Sequence, residues 1–474
     1  MFRPLALGIT CALVSCSAAA SDPLGYSLTV YSSAAPGQIS TSNLSGYGGN
    51  LPGYALVRDT RRMQLPKGVG DVRFSDVATR IDPTTVAFDA LSDPAGTRVI
   101  EQNYQYDLVD NAKLLQRYIG EPITVEQLRG DKIETLAGKL LSATGGLILQ
   151  RDNGEVLTLK DYANIRFPAL PGGLITKPTL VWKVDSKSGG EQTARVSYQT
   201  QGVVWWSDYN LTLRDTGGKC DLDLSAWVTL VNQSGGSYPN AQLKLVAGDV
   251  HRAPSAAPQP RYEAMAVRSA PANDGFSEAA LSEYHLYTLG RRTDLPSNST
   301  KQLELFPSVS GIACRKELVL ASGQKSASAF VLFDNSKANN LSVPLPGGRM
   351  RVNQVNANDG SLEFIGEDII HHTPRNETVR INIGDSFDVV GERKQTDQKV
   401  SNGRVVQESY EISVRNRKDS AVTVLVRESL NHGEWHIVAN NHKYTKRDAI
   451  TVDFPVEIAA NSEAKVAYTV LYSN

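Results

Sequence analysis

Apolar and polar side chains alternate at every second residue along much of this chain, and short runs of Gly, Asn, Asp and Pro separate the alternating segments. A period of two is typical of strands with one buried face. The alternation is clearest in four segments, residues 193–200, 405–414, 421–428 and 465–472. Many short strands with turn residues between them indicate sandwiches or barrels. We therefore expect a mainly β protein with several antiparallel, Ig-like β-sandwich domains.

One segment has helical rather than strand character. Residues 110–118 are Asp-Asn-Ala-Lys-Leu-Leu-Gln-Arg-Tyr; Asp107 or Asp110 is placed to cap the first turn, and Gly120 follows the last one. Compact strands separated by glycines continue to residue 167. A short helix followed by five short strands suggests a small SH3-like or Sm-like barrel, and we expect one here.

Turn-rich stretches divide the chain into four regions after residues 1–20. We predict an N-terminal β domain with a long Gly/Ser loop, the helix-plus-barrel domain, the start of a β-sandwich and a C-terminal Ig-like region, at residues 22–102, 103–167, 168–307 and 308–474. Residues 252–280 are rich in Pro and Ala and lack periodicity, which predicts a disordered insertion in the third region.

Residues 1–20 have the pattern of a secretory signal peptide, because Arg3 precedes an apolar run and small residues follow it. An Ala-x-Ala pattern places the expected cleavage between Ala20 and Ser21. Residues 13–16 also resemble a bacterial lipobox, in which case Cys16 would carry the lipid. We expect a periplasmic or secreted protein in the first case and an outer-membrane lipoprotein in the second.

Charge and hydropathy exclude some classes of partner. The 474 residues include 49 Lys and Arg and 50 Asp and Glu, so the net charge is −1. We expect no nucleic-acid partner, because such proteins carry a basic face. After the signal segment, the sequence has no apolar run long enough for a membrane span. The expected contact with a membrane is therefore limited to a lipid on Cys16.

Two of the four cysteines remain after cleavage at Ala20, namely Cys220 and Cys314. Cys220 begins a segment in which every second residue up to Val228 is apolar or small, which predicts a strand with its core face on that side. A disulfide between the two cysteines would close a loop of about 95 residues and stabilise the fold by roughly 4 kcal/mol. The alternative is two separate buried thiols, since free cysteine is often buried.

Residues 201–213 carry the pattern G-x-x-W-x-x-x-Y-x-L, formed by Gly202, Trp205, Tyr209 and Leu211. Further characteristic segments follow in order at residues 231–236, 241–248, 283–287, 366–377 and 383–390. With these motifs the chain resembles the DUF4139 family over roughly residues 180–474. The resemblance implies a domain of unknown function that occurs in exported bacterial proteins, some of them named mucoidy inhibitor-like. It supplies no catalytic residues, and we expect Trp205, Trp206 and Tyr209 to pack in the core.

The strongest candidates for chemistry are the histidines near the C-terminus: His371, His372, His432, His436 and His442. Three of them with Glu377 or Glu434 could in principle form a zinc site. The spacing argues against it, because residues four apart in a strand lie about 13 Å from each other. The sequence contains no G-x-S-x-G elbow and no phosphate-binding glycine loop. We expect no catalytic residue, metal or cofactor.

The function that these observations favour is an exported, non-catalytic binding or scaffold module for a protein or glycan of the cell envelope. Long loops on rigid sandwiches are a common means of presenting a contact surface. The alternative is a periplasmic or secreted hydrolase of glycan or peptide, including a metal-dependent one. Such an enzyme would need carboxylates or histidines from distant parts of the chain to meet in one cavity.

Overall fold

The computed structural model describes residues 24–473 except 33, 49, 131, 217–218, 249, 251–274, 357 and 402–404. The predicted signal peptide, the cleavage site at Ala20 and Ser21, and Cys16 lie outside the described residues. Most of the predicted insertion at 252–280 does so as well. In the described residues, no helix has the length and apolar character needed to cross a membrane.

The N-terminal part of the described chain contains ten strands and one α-helix. The strands before the helix are β1 (Gly25–Ser32), β2 (Gly53–Leu65), β3 (Gly68–Ser75), β4 (Ile81–Ala90) and β5 (Thr97–Gln105), with a short 3-10 turn at Leu44–Tyr47 between the first two. Helix α1 (Asn111–Arg117) is followed by β6 (Pro122–Arg129), β7 (Lys132–Ser142), β8 (Leu147–Gln150), β9 (Val156–Leu159) and β10 (Asn164–Arg166).

The middle of the chain contains ten further strands. They are β11 (Thr179–Ser186), β12 (Gly190–Gln201), β13 (Val203–Thr216), β14 (Lys219–Asn232), β15 (Tyr238–Ala247), β16 (Phe276–Leu281), β17 (Tyr284–Leu289), β18 (Thr293–Leu295), β19 (Ser299–Ala321) and β20 (Ser326–Asp334).

The C-terminal part has a 3-10 turn at Lys337–Asn339 and then the remaining strands. These are β21 (Gly348–Val355), β22 (Leu362–Ile370), β23 (Thr378–Ser401), β24 (Val405–Asn416), β25 (Val422–Ser429), β26 (Glu434–Asn440), β27 (Thr445–Lys446), β28 (Thr451–Ile458) and β29 (Glu463–Ser473).

The mainly β architecture expected from the alternation is confirmed. The four alternating segments coincide with β12, β24, β25 and β29. The helix prediction is also confirmed, and Asp110 caps α1 by accepting a hydrogen bond from the Lys113 backbone N–H at 2.8 Å. The end of the predicted insertion forms a strand instead, because Phe276 and the residues after it pair with β17.

The small region after α1 forms a five-stranded sheet in the order β10-β6-β7-β8-β9. It has its own core, in which Leu115 and Tyr118 of the helix segment contact Val125 and Leu149 of the sheet. Among the described residues β9 and β10 do not pair, so the sheet stays open and the predicted closure into a barrel is not formed. Strand β10 is only three residues long, and all three pair with β6.

The larger sheets join parts of the chain that the sequence analysis placed in different regions. Strand β1 pairs with β15 in parallel, and β2 pairs with β12, so one sheet combines strands from regions 22–102 and 168–307. Strand β19 runs from residue 299 to 321 and therefore crosses the predicted division at 307 without interruption.

Two sandwich modules in the chain repeat the same strand pairing. In the first module the pairs are β1 with β15, β1 with β2, β2 with β12, β13 with β14, β14 with β19, and β15 with β18. In the second module they are β19 with β25, β19 with β20, β20 with β23, β23 with β24, β24 with β29, and β25 with β28. Each pair has the same parallel or antiparallel direction as its counterpart. The C-terminal half of β19 thus corresponds to β1, and the single strand β23 corresponds to β12 and β13 together.

A buried asparagine holds the same corner in both modules. The Asn232 amide donates to the carbonyls of Gly236 at 2.8 Å and Pro296 at 2.9 Å. The Asn416 amide donates to those of Ser420 at 2.8 Å and Ala459 at 3.0 Å. Both asparagines are fully buried at the end of a strand. Since buried carbonyls need donors, each amide stabilises the loop that leads into the last strand of its module.

The Gly/Ser loop after β1 packs against the first module. Ile39 is 2% exposed and Leu51 is 5% exposed, and both contact Val204 and Val231. Trp206 packs against the same cluster, while Trp205 and Tyr209 lie in the main core of the first module. Trp205 and Tyr209 therefore pack inside the protein, whereas Trp206 is partly buried at its edge.

A disulfide joins Cys220 of β14 to Cys314 of β19, with the Cα atoms 5.1 Å apart and a sequence separation of 94. It lies beside the backbone pair Asp221 and Ala313, close to the point where β19 leaves β14 for its partners in the second module. The cross-link therefore ties adjacent strands where β19 changes partners.

Replacing both cysteines by serine is expected to lower the free energy of unfolding, by up to about 4 kcal/mol on the loop-entropy estimate. Urea denaturation of the wild type and of the Cys220→Ser/Cys314→Ser variant measures the difference. Reductant should lower the midpoint of the wild type and leave that of the variant unchanged. In protein that lacks residues 1–20, two titratable thiols in the unfolded, unreduced wild type would contradict the cross-link.

Candidate functional site

A cavity of about 520 Å³ lies where a hairpin of the first module meets a connecting segment of the second. The hairpin consists of β16 and β17, and the connecting segment is the chain between β20 and β23. The cavity is lined by Glu278, Ala279, Ala280, His285, Pro344, Pro374 and Arg375. Its size is within the range of cavities that bind small molecules.

The hairpin brings the polar residues of the cavity together. Glu278 pairs with Tyr287 and Ala280 pairs with His285, so these four residues share one face of the hairpin. Ser282 at the turn has a φ of 56°, a left-handed conformation that allows the chain to reverse over two residues. The period of two therefore directs Glu278 and His285 to the same side, towards the connecting segment.

Glu278 is the centre of the charged group in the cavity, and only 6% of its side chain is exposed. Its Oε1 lies 2.8 Å from Nδ1 of His285, and its Oε2 accepts from the Arg375 guanidinium. Because a carboxylate only accepts hydrogen bonds, Nδ1 of His285 carries the proton. The buried carboxylate therefore orients both of its basic partners.

Two buried tyrosines hold the proline wall of the cavity. The Tyr287 hydroxyl donates to the Pro344 carbonyl at 2.9 Å, and the Tyr209 hydroxyl donates to the Pro346 carbonyl at 2.7 Å. Burial raises the pKa of both hydroxyl groups, and the Glu278 carboxylate raises the pKa of Tyr287 further. Both tyrosines therefore stay protonated and act as donors. The wall is in place before any ligand arrives.

Asn335 fixes the other side of the connecting segment. Its amide donates to the carbonyls of Val343 and Pro374, each at 3.0 Å. These bonds join the two ends of the connecting segment next to Pro344 and Arg375. The segment therefore enters the cavity as a fixed loop supported by side chains of β13, β17 and the end of β20.

The histidines considered for a metal site lie apart from this cavity. His372 accepts from the Gly347 N–H at 2.9 Å, His432 contacts the Tyr472 ring edge-on, and His436 lies in β26. The His442 ring is hydrogen-bonded to the Asn441 side chain, and His371 lies on the chain beside His372. Glu377 precedes β23, and Glu434 begins β26. Within the described ranges, no three His, Cys, Asp or Glu residues are grouped closely enough to hold a metal ion.

The sequence alone does not indicate Glu278, His285 or Arg375 as site residues. A signal was present, because His285 and Arg375 lie in two of the characteristic segments, residues 283–287 and 366–377, that the fold brings together at the cavity. The same segments contain Tyr287 and Pro374. Nothing in the spacing of these segments indicates that they meet, since His285 and Arg375 lie 90 positions apart in sequence.

The cavity and its supports lie in the part of the chain that a family model matches. The model is described as a domain of unknown function, DUF4139, and it matches residues 194–470. The chain belongs to the DUF4139 family. The DUF4139 region extends from β12 to β29 and includes the disulfide, both corner asparagines and all residues that line the cavity. The five-stranded sheet lies before it. A comparison with curated proteins finds no match to the chain.

Replacing Tyr287 by phenylalanine is expected to lower the free energy of unfolding by about 1 kcal/mol, because the buried Pro344 carbonyl loses its donor. Urea denaturation followed by fluorescence measures this change. Tyr106→Phe is the control, since the Tyr106 side chain is 71% exposed and its substitution should have almost no effect. Equal stability of the Tyr287→Phe variant and the wild type would contradict the role given to this hydroxyl.

Proposed function

We propose that this DUF4139 protein is an exported, non-catalytic binding or scaffold module that recognises a protein or glycan of the cell envelope. The signal-like N-terminal sequence supports export to the periplasm or the exterior, and Cys16 offers a lipid anchor as a variant of the same proposal. The family match adds no reaction, because its description is that of a domain of unknown function.

The observation that carries the binding role is the cavity between the β16–β17 hairpin and the connecting segment. Its walls are supported by the hydroxyl groups of Tyr209 and Tyr287 and by the amide N–H groups of Asn335, which donate to backbone carbonyls. A preformed cavity with few convergent polar groups is the usual form of a ligand site. Ser, Thr and Cys are absent from its described lining, so the residues there supply no hydroxyl or thiol nucleophile.

A photoreactive amino acid at position 283 tests this proposal in the native host. Glu283 is exposed at the turn of the hairpin, beside the cavity. We expect a cross-link to one envelope partner from this position, identified by mass spectrometry after affinity purification. The matched control is position 457, where Glu457 is exposed on β28 of the second module, away from the cavity. No adduct at 283, or the same adducts from both positions, would contradict binding at the cavity.

A hydrolase is the second candidate, and the hydrogen bond between Glu278 and His285 favours it. A carboxylate that orients a histidine is also the arrangement by which enzymes activate water or a hydroxyl group. The cavity offers one buried carboxylate rather than the pair that most glycosidases use.

Product release from envelope glycan and peptide substrates separates the two proposals. We expect the wild type to release no more product than the His285→Ala variant, since a binding module does not turn over its ligand. Glu434→Gln in β26 serves as a control for an exposed acidic residue outside the cavity. Release that depends on His285 and not on Glu434 would establish the hydrolase and overturn the non-catalytic proposal.

A further inference from the structure

The hydrogen bonds of the cavity leave basic groups available to a ligand. Each oxygen of Glu278 has one basic partner, Oε1 with His285 and Oε2 with Arg375. Arg375 has five N–H groups, and in the described part of the chain its recorded side-chain acceptor is Glu278. The Arg375 side chain is 52% exposed and that of His285 is 39% exposed. The guanidinium therefore reaches the open side of the cavity while one of its edges is held by a buried carboxylate.

The charge of the cavity limits the kind of ligand. The described lining contains one acidic and two basic side chains, so its net charge is at most +1. A cation would meet the guanidinium, and both oxygens of Glu278 are already engaged. A monoanion with two oxygens matches the planar fork of Arg375. The cavity carries too little positive charge to balance a doubly charged phosphate.

The apolar part of the cavity wall limits the chemistry of the rest of the ligand. Ala279, Ala280, Pro344 and Pro374 present small apolar surfaces, and no Trp, Tyr or Phe lines the described cavity. Neutral sugars are commonly held by stacking on aromatic rings, which is not available on this wall. A carboxylate with a small apolar group next to it fits both parts of the cavity.

We propose that this cavity binds a carboxylate group carried by a small or partly apolar ligand, with Arg375 as its main contact and Glu278 as the residue that positions Arg375. This inference rests on the proposed binding function and names the ligand class of the same site. The small apolar wall favours the C-terminus of a peptide as the source of the carboxylate, and a uronic acid of a glycan is the alternative outcome of the test. Their shared group is what the cavity recognises.

Isothermal titration of the full-length protein tests the ligand class with four probes, of which inorganic phosphate represents a more highly charged anion. N-acetyl-alanyl-alanine represents a peptide carboxylate, its C-terminal amide lacks the charge, and glucuronate represents an acidic sugar. We expect one or both carboxylates to bind with 1:1 stoichiometry and the amide to bind at least about tenfold more weakly, because a charge-assisted hydrogen bond is lost. The tighter of the two carboxylates indicates the source. Equal binding of the amide, binding of none of the probes, or tighter binding of inorganic phosphate would overturn the proposal.

Two arginine variants locate the contact. Arg375→Gln is expected to weaken carboxylate binding by about tenfold or more, and Arg375→Lys should restore only part of it because lysine cannot bind in a bidentate manner. Arg447→Gln is the matched control, since Arg447 is also 52% exposed and ion-paired, with Asp453 at 3.7 Å. The Arg447→Gln variant should bind the carboxylate with the same affinity as the wild type. Unchanged affinity in Arg375→Gln would also overturn the proposal, and thermal denaturation confirms that each variant is folded.

The outcome separates this inference from the function on which it rests. A cross-link from position 283 without carboxylate binding would leave the binding module in place and reject the ligand class. Carboxylate binding without a macromolecular partner would support a free small-molecule ligand for the same cavity and reject the scaffold role.

Discussion

The continuity of β19 is the constraint on which the rest of the structure depends. This strand of 23 residues pairs with β14 in its first part and with β20 and β25 in its last part. Leu303 and Leu305 lie in the core of the first module, whereas Leu320 lies in that of the second. Because the two ends of this one strand pack in different cores, no linker separates the two modules. The hairpin before β19 and the segment after β20 are therefore held at a fixed distance, and the cavity between them keeps its shape.

The local features of the fold could be predicted from sequence because they depend on neighbouring residues. Period-two alternation identified β12, β24, β25 and β29, and the cap at Asp110 placed the helix. The prediction of a closed barrel was wrong. Closure depends on the length and position of the last strand, and the local sequence pattern does not determine these. The repeated modules escaped detection for a different reason. Insertions of unequal length separate β2 from β12 and β20 from β23, so equivalent residues such as Asn232 and Asn416 have no constant spacing.

The candidate site depends on long-range contacts, and the sequence could supply only its separate parts. The five histidines between residues 371 and 442 drew attention by their number, yet each has its own surroundings in the fold. His285, which is isolated in sequence, is the histidine that lines the cavity. Its significance comes from Glu278 across the hairpin and from Arg375 in the connecting segment. The proximity of these three residues follows from the sheet topology. It cannot be predicted from the local pattern of a single sequence.

The parallel pairing of β1 with β15 also affects how the protein is made. Ser27 pairs with Gln242, and the first module is completed only when Asn232 has met Ser299. The N-terminus leaves the ribosome or a translocation pore before the rest of the chain. One edge of β1 therefore stays unpaired until all residues up to β15 have emerged. Such non-local pairing slows folding, and unpaired edges are prone to aggregate during the delay. The five-stranded sheet, which is complete by Arg166, can fold during that interval while β1 still waits for its neighbour.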